Sequence, residues 1–265
     1  GRANCNMAMA MWQEFTDALQ EKKFQKAVAA EFIGTLLFVF LAGAAAVNAE
    51  SSGLVTGALG GGFALAVMLY ATAGDNGSGG KLNPAVTAGL LITGRLDKTS
   101  AAWEMIAQFI GALCGGILLK ISLPHTDLTV PLLAMGGPST NHPLSTFIWE
   151  YMSTAFLVFT VFATVVDKHT RHAESGLKVT LPAPFAPLAI GLALVVGSFA
   201  AGPFTGGAMN PARALGPAIA FWNFKNIWVY ILANFMGGMS GAVVYENLFL
   251  QLQPPEPLEA SEASV

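Results

Sequence analysis

Long apolar runs separated by short polar stretches organise the chain from residue 27 onward. Six of them, roughly 27–48, 54–74, 101–121, 146–167, 183–202 and 226–250, are about 20 residues each, enough for a helix to cross a hydrocarbon core about 30 Å thick. Two other apolar stretches, about 83–92 and 210–220, would make helices of about 14 to 16 Å at about 1.5 Å per residue. They are too short to cross and too apolar for ordinary loops. The pattern predicts an all-α membrane protein with six spanning helices and two half-spans.

The pattern repeats. AEFIGTLLFVFLAGA (30–44) is echoed by WEYMSTAFLVFTVFA (149–163), which puts Glu31 and Glu150 at the same place, and LNPAVTAGLL is echoed by MNPARALGPA. AQFIGALCGG (107–116) is likewise echoed by ANFMGGMSGA (233–242). A first repeat over about 27–121 and a second over about 146–250 each hold three spans and one half-span. Three being odd, the second repeat inserts upside down relative to the first. The two half-helices then enter from opposite faces and meet near the midplane. Residues 1–26 form a polar head and 251–265 an acidic, Pro-rich tail, which reads as solvated.

Composition agrees with a membrane chain: 54% of residues are hydrophobic and only 11% charged, against about 25% charged in soluble domains. The net charge of −3 and the absence of a basic block speak against nucleic acid as a partner. Cys5 and Cys114 read as free thiols. No metal-ligand cluster, activated nucleophile or phosphate loop is present, so neither an enzyme, a metal nor a cofactor is expected. The head does not resemble a signal peptide. With the N-terminus cytoplasmic, Arg2, Lys22, Lys23, Lys26, Arg95, Lys98, Lys168, Arg171 and Lys178 all fall on the cytoplasmic side, and only Lys120 and Lys225 fall outside. That sorting follows the positive-inside rule and places both termini in the cytoplasm.

The half-spans carry the chemistry. In Asn83-Pro84-Ala85 and Asn210-Pro211-Ala212, asparagine is a good N-cap and proline the favoured first helical residue. Two such starts meeting at the midplane present two positive helix ends and two amide groups. Non-helical backbone at that depth must be buried in protein or line a water-filled cavity, so the pair predicts a pore that disfavours cations and protons. Arg213 stands one position after the second box, and its guanidinium is expected to face that lumen. Glu31 and Glu150 invite two readings, proton relay or acceptors for the backbone of the re-entrant loops. Their symmetric placement argues for the second.

The paired SGGKLNPAVT and TGGAMNPARALGP, the six-plus-two layout and the two glutamates resemble the aquaporins, or major intrinsic proteins, over residues 27 to 250. The resemblance implies a right-handed helical bundle, a homotetramer in the lipid bilayer with one pore per subunit, and a four-residue selectivity filter outside the midplane. Carried over by position, the filter takes Ser198, Gly207 and Arg213. The fourth member is Phe63 by direct counting back from Asn83. If the segment around Asp75 to Gly77 carries two extra residues, it is Gly61, the preferred assignment because GGFALAVMLY then aligns too.

Gly61, Ser198, Gly207 and Arg213 resemble the wide filter of plant nodulin-like silicic acid channels, which implies passage of water with silicic acid, boric acid or urea. Phe63 would narrow the opening, and a strict water channel is the alternative. Ala214, where glycerol channels usually carry aspartate, counts against a dedicated glycerol facilitator. Lys81 replaces a usual histidine, and Ala233-Asn234 replace a usual Gly-Pro. Lys81 has two readings, a residue of the inner mouth or a solvated lysine at the membrane edge. An alternating-access transporter or a non-conducting scaffold is a weaker reading of the whole.

Overall fold

In a hydrocarbon core a backbone must satisfy its own hydrogen bonds, and each long apolar run does so as a helix. The computed structural model describes residues 13, 15–73, 78–123, 142–167, 171–172, 178–179 and 185–250. Arg2, Cys5, Asp75 to Gly77, Lys168 and the acidic tail 251–265 lie outside the described residues. The spanning helices are α1 (Lys22–Ser52), α2 (Leu54–Thr72), α4 (Lys98–Ser122), α5 (Pro143–Val161), α6 (Ala186–Thr205) and α8 (Ile227–Tyr245). All six are long and apolar enough to cross a membrane, α5 and α8 being prolonged by a wider turn to Val166 and Leu250. Between them lie two short helices, α3 (Pro84–Ile92) and α7 (Pro211–Ala220). A two-residue antiparallel pair, Arg171–His172 with Lys178–Val179, lies between α5 and α6.

With six crossings the chain returns to the face on which α1 begins, called the first face below. The second re-entrant segment follows from a helix-stopping signal. α6 runs through Pro203 to Thr205, past the end of its apolar run, and stops at Gly206, whose φ of 84° is the left-handed cap that glycine accepts at least cost. α7 then starts afresh at Pro211.

The two repeats interlock. α1 packs on α2 and α4, and α5 packs on α6 and α8, while α2 against α6 joins the halves. Each half-helix makes its main contact with the third span of the other repeat, α3 with α8 and α7 with α4. Small residues permit these approaches. Gly111 and Gly115 of α4 lie against the backbone of Phe32 and Leu36, and Gly237 and Gly241 of α8 lie against Tyr151 and Ala155 in the same way. Large apolar side chains such as Ile33, Val67, Ile121 and Leu144 are exposed on the outer surface, where lipid rather than water would meet them. Cys114 is a free thiol.

Gly216 sets the seat of α7: a Cβ there would overlap the peptide and Cβ of Ala112 on α4. Gly216→Ala should therefore destabilise the protein by about 1–3 kcal/mol through overpacking. A lowered midpoint of thermal unfolding in detergent is the expected readout, and an unchanged midpoint would show that α7 shifts freely.

Candidate functional site: a lumen between two half-helices

Asn83 and Asn210 open the short helices with nearly identical extended backbones, φ/ψ of −155°/115° and −160°/115°. Asn83 Oδ1 accepts from the Ala85 N–H (2.9 Å), and Asn210 Oδ1 accepts from Ala212 (2.9 Å) and Arg213 (3.1 Å). These bonds satisfy donors that every helix start leaves open. The other end of each amide crosses to the opposite repeat. Asn83 Nδ2 donates to the Met209 carbonyl and Asn210 Nδ2 to the Leu82 carbonyl, both at 2.8 Å. Leu82 and Met209 occupy left-handed backbone, φ 51° and 50°, a region costly for branched or long side chains. The crossed bonds help hold that shape.

The glutamates supply the rest. Glu31 accepts from the N–H of Lys81 (2.9 Å) and Leu82 (2.8 Å), from Gln108 Nε2 (2.6 Å) and from the Ser78 hydroxyl. Glu150 accepts from the N–H of Ala208 and Met209 (3.0 Å each) and from the Thr205 hydroxyl (2.6 Å). With its amide oriented by its neighbours, Asn234 donates to Glu150 Oε2 (2.9 Å), and its oxygen accepts the Asn210 N–H (3.1 Å). A buried carboxylate is tolerable when it is this fully hydrogen-bonded. Ser78, Gln108 and Thr205 escaped the sequence reading, and Asn234 enters it only as a departure from the usual Gly-Pro. A signal for two of them was there, since Gln108 and Asn234 hold the same place in the echoed AQFIG and ANFMG.

On the first face a cavity of about 460 Å³ ends at Asn83 and Asn210. Its wall is largely apolar, including Phe38, Leu65, Leu157 and Ile190, with Lys81 and Arg95 among its polar members. A mostly apolar wall with amide donors at its end lets a small molecule pass while giving it few places to stick. Lys81 is not a solvated lysine at the membrane edge. Its side chain is only 9% exposed and forms an ion pair with Glu104 of α4 at 2.9 Å, a partner the sequence reading did not find.

On the other side of the asparagines, Arg213 is 4% exposed. Its Nη1 donates to the carbonyls of Gly207 and Ala208, the latter at 3.0 Å, while its Nε is buried without a protein partner. The guanidinium is thus fixed by loop carbonyls, with no carboxylate hydrogen-bonded to it among the described residues. Gly207, at φ 63°, backs onto Ser198 of α6: a Cβ there would lie 3.2 Å from Ser198 Cα. Gly61 is buried on α2, one helical turn before Leu65 and two before Leu69, both of which line the cavity, so it shares their face. A Cβ at Gly61 would meet only Ala42 Cβ, at 3.9 Å. Phe63 is 47% exposed, on the outer surface of the bundle.

Residues 18–245 match the model of the family described as MIP, major intrinsic protein. Aquaporin TIP2-1 of Arabidopsis thaliana is 36% identical over 246 residues, covering 89% of this chain and 92% of that protein. Probable aquaporin TIP3-2 of Oryza sativa subsp. japonica is likewise 36% identical over 246 residues, covering 89% and 86%. Among solved structures, the aquaglyceroporin from Plasmodium falciparum superimposes with a TM-score of 0.70 at 24% identity, covering 86% of this chain and 98% of that one. That likeness is one of fold.

Asn234→Leu tests the hydrogen-bond frame around the second loop. It removes a donor from Glu150 and the acceptor of the Asn210 N–H, and an unpaired buried group costs about 1–3 kcal/mol. A fall in thermal unfolding midpoint is expected, with Asn234→Gln recovering part of it; equal stability of wild type and the leucine variant would remove Asn234 from the frame.

Proposed function

The chain belongs to the major intrinsic protein family, whose members are passive channels rather than enzymes, and from that premise we propose how its lumen selects what passes. The observation that carries the reading is the meeting of the two asparagine-capped half-helices at the end of the cavity. Each contributes a positive helix end of roughly half an elementary charge. Cations and protons meet that field with their hydration removed, whereas water and neutral solutes find the free amide N–H of Asn83 and Asn210 as donors. The conducting path runs from the first face along the cavity, past Asn83-Pro84-Ala85 and Asn210-Pro211-Ala212, and out beside Arg213.

The filter consists of Gly61, Ser198, Gly207 and Arg213. The outward placement of Phe63 and the shared face of Gly61 with Leu65 support Gly61 as the second-helix member. Two glycines and a serine bring no bulky side chain to the filter, a composition that supports passage of solutes wider than water. Silicic acid, boric acid and urea are the preferred candidates, all neutral and rich in hydrogen-bonding groups that the guanidinium can engage. Ala214 in place of aspartate leaves glycerol a weaker candidate.

The first face is the cytoplasmic one. Lys22, Lys23, Lys26, Arg95 and Lys98 stand there, against Lys120 and Lys225 on the opposite face, as the positive-inside rule requires. The exposed apolar flanks fit lipid and three further copies of the chain in a homotetramer with one lumen per subunit, with residues 27–250 as the channel unit.

Swelling of proteoliposomes in water, glycerol, urea, boric acid and silicic acid gradients tests the reading. Water passage together with urea and silicic acid is expected, and water passage with exclusion of every solute would overturn the wide filter. Gly61→Phe should cut urea and silicic acid flux by roughly tenfold or more, and more than water flux, by putting a bulky ring into the filter. Arg213→Ala should raise cation leak in a folded protein; unchanged leak would assign the barrier to the helix ends alone.

A further inference from the structure

The inverted repeat provides an internal control for Lys81. Superimposing the two re-entrant loops by sequence places Ser78 with Thr205, Lys81 with Ala208 and Glu104 with Tyr230. In the second repeat the Tyr230 hydroxyl donates to the Thr205 carbonyl at 2.9 Å. In the first, the Lys81 ammonium donates to the equivalent Ser78 carbonyl and is held by Glu104 Oε1 at 2.9 Å. One neutral hydroxyl therefore suffices to tie down this bend. The first repeat does the same job with two charges, one of which lines the cavity. The charge is surplus to the structural requirement.

We propose that Lys81 and Glu104 form a second selectivity element in the cavity: the lysine opposes cations, and the glutamate keeps that lysine from drawing anions. The positive helix ends and Arg213 repel cations but do nothing to stop anions. An uncompensated Lys81 would extend the positive potential toward the first face and make the whole path attractive to anions. Among the described residues, Glu104 is the carboxylate that pairs directly with the Lys81 ammonium. Glu31 faces the loop N–H groups, Gln108 and Ser78, Asp97 accepts from the Ser100 N–H, and Glu246 holds Arg95 by two bonds of 2.8 and 2.9 Å. Glu104 Oε2 is buried with no partner among the described residues, so the carboxylate is placed for its charge rather than for a full set of hydrogen bonds. Glu104 acts through Lys81 and is a positioning residue.

The inference rests on the cavity being the conducting path. The test is water, potassium and nitrate flux in proteoliposomes of the full chain, with circular dichroism and a single elution peak establishing that each variant is folded. Glu104→Gln should raise nitrate flux about tenfold, and Lys81→Met should raise potassium flux without raising nitrate, because opposite charges are left unpaired in a weakly screened site. The paired change Lys81→Ala with Glu104→Tyr copies the second repeat's own solution. It should exclude nitrate as the wild type does and pass more potassium.

Ion fluxes equal to wild type in folded single variants would reduce the pair to an anchor. If neither single variant folds, the paired change decides: raised potassium flux supports the element and unchanged potassium flux overturns it. Absence of water flux through the wild type would instead overturn the conducting path itself.

Discussion

Two buried carboxylates hold this structure open at its centre. A loop that dives to the middle of a bilayer and turns back leaves backbone N–H groups where neither water nor a neighbouring strand can meet them. Glu31 and Glu150 take two such N–H groups each, and a hydroxyl besides. Without them the residues before each asparagine could not keep the left-handed backbone that aims the half-helices at one another. The positions of the asparagines, the helix ends and Arg213 all follow from that constraint.

Around this frame the repeats agree closely and differ where selection would act. The agreement includes the crossed asparagine amides, the positive φ at Leu82 and Met209, and the amides of Gln108 and Asn234 beside the glutamates. Two differences lie on either side of the asparagines. Arg213 has Val86 as its counterpart in the first repeat, and the ion-paired Lys81 has Ala208 in the second. Each cation therefore occurs once, on opposite sides of the asparagines. Symmetry supplies the scaffold, and departures from it make its two sides unlike.

Much of the fold was legible in the sequence because a membrane allows few solutions. Apolar length gave the spans, the short runs gave the half-helices, and an odd number of spans per repeat gave the inversion. The asparagine, proline and arginine positions could be read from local helix-start chemistry. Glu104 could not. A glutamate four residues before Gln108, on a span, shows no partner in sequence, since Lys81 lies 23 positions away and only folding makes them neighbours. Phe63 and Gly61 were ambiguous for a related reason: the register of α2 depends on the segment before the first box, whereas helical phase relative to Leu65 and Leu69 is visible only once the cavity is.

The interlocked half-helices bear on how such a chain is made. Because α3 rests chiefly on α8, and α7 on α4, each repeat lacks the main surface that seats its own short helix. During synthesis the first half-helix must wait for that surface until the last span has entered the membrane. By the same logic, a chain of half this length could assemble the same lumen only by pairing with an upside-down copy of itself.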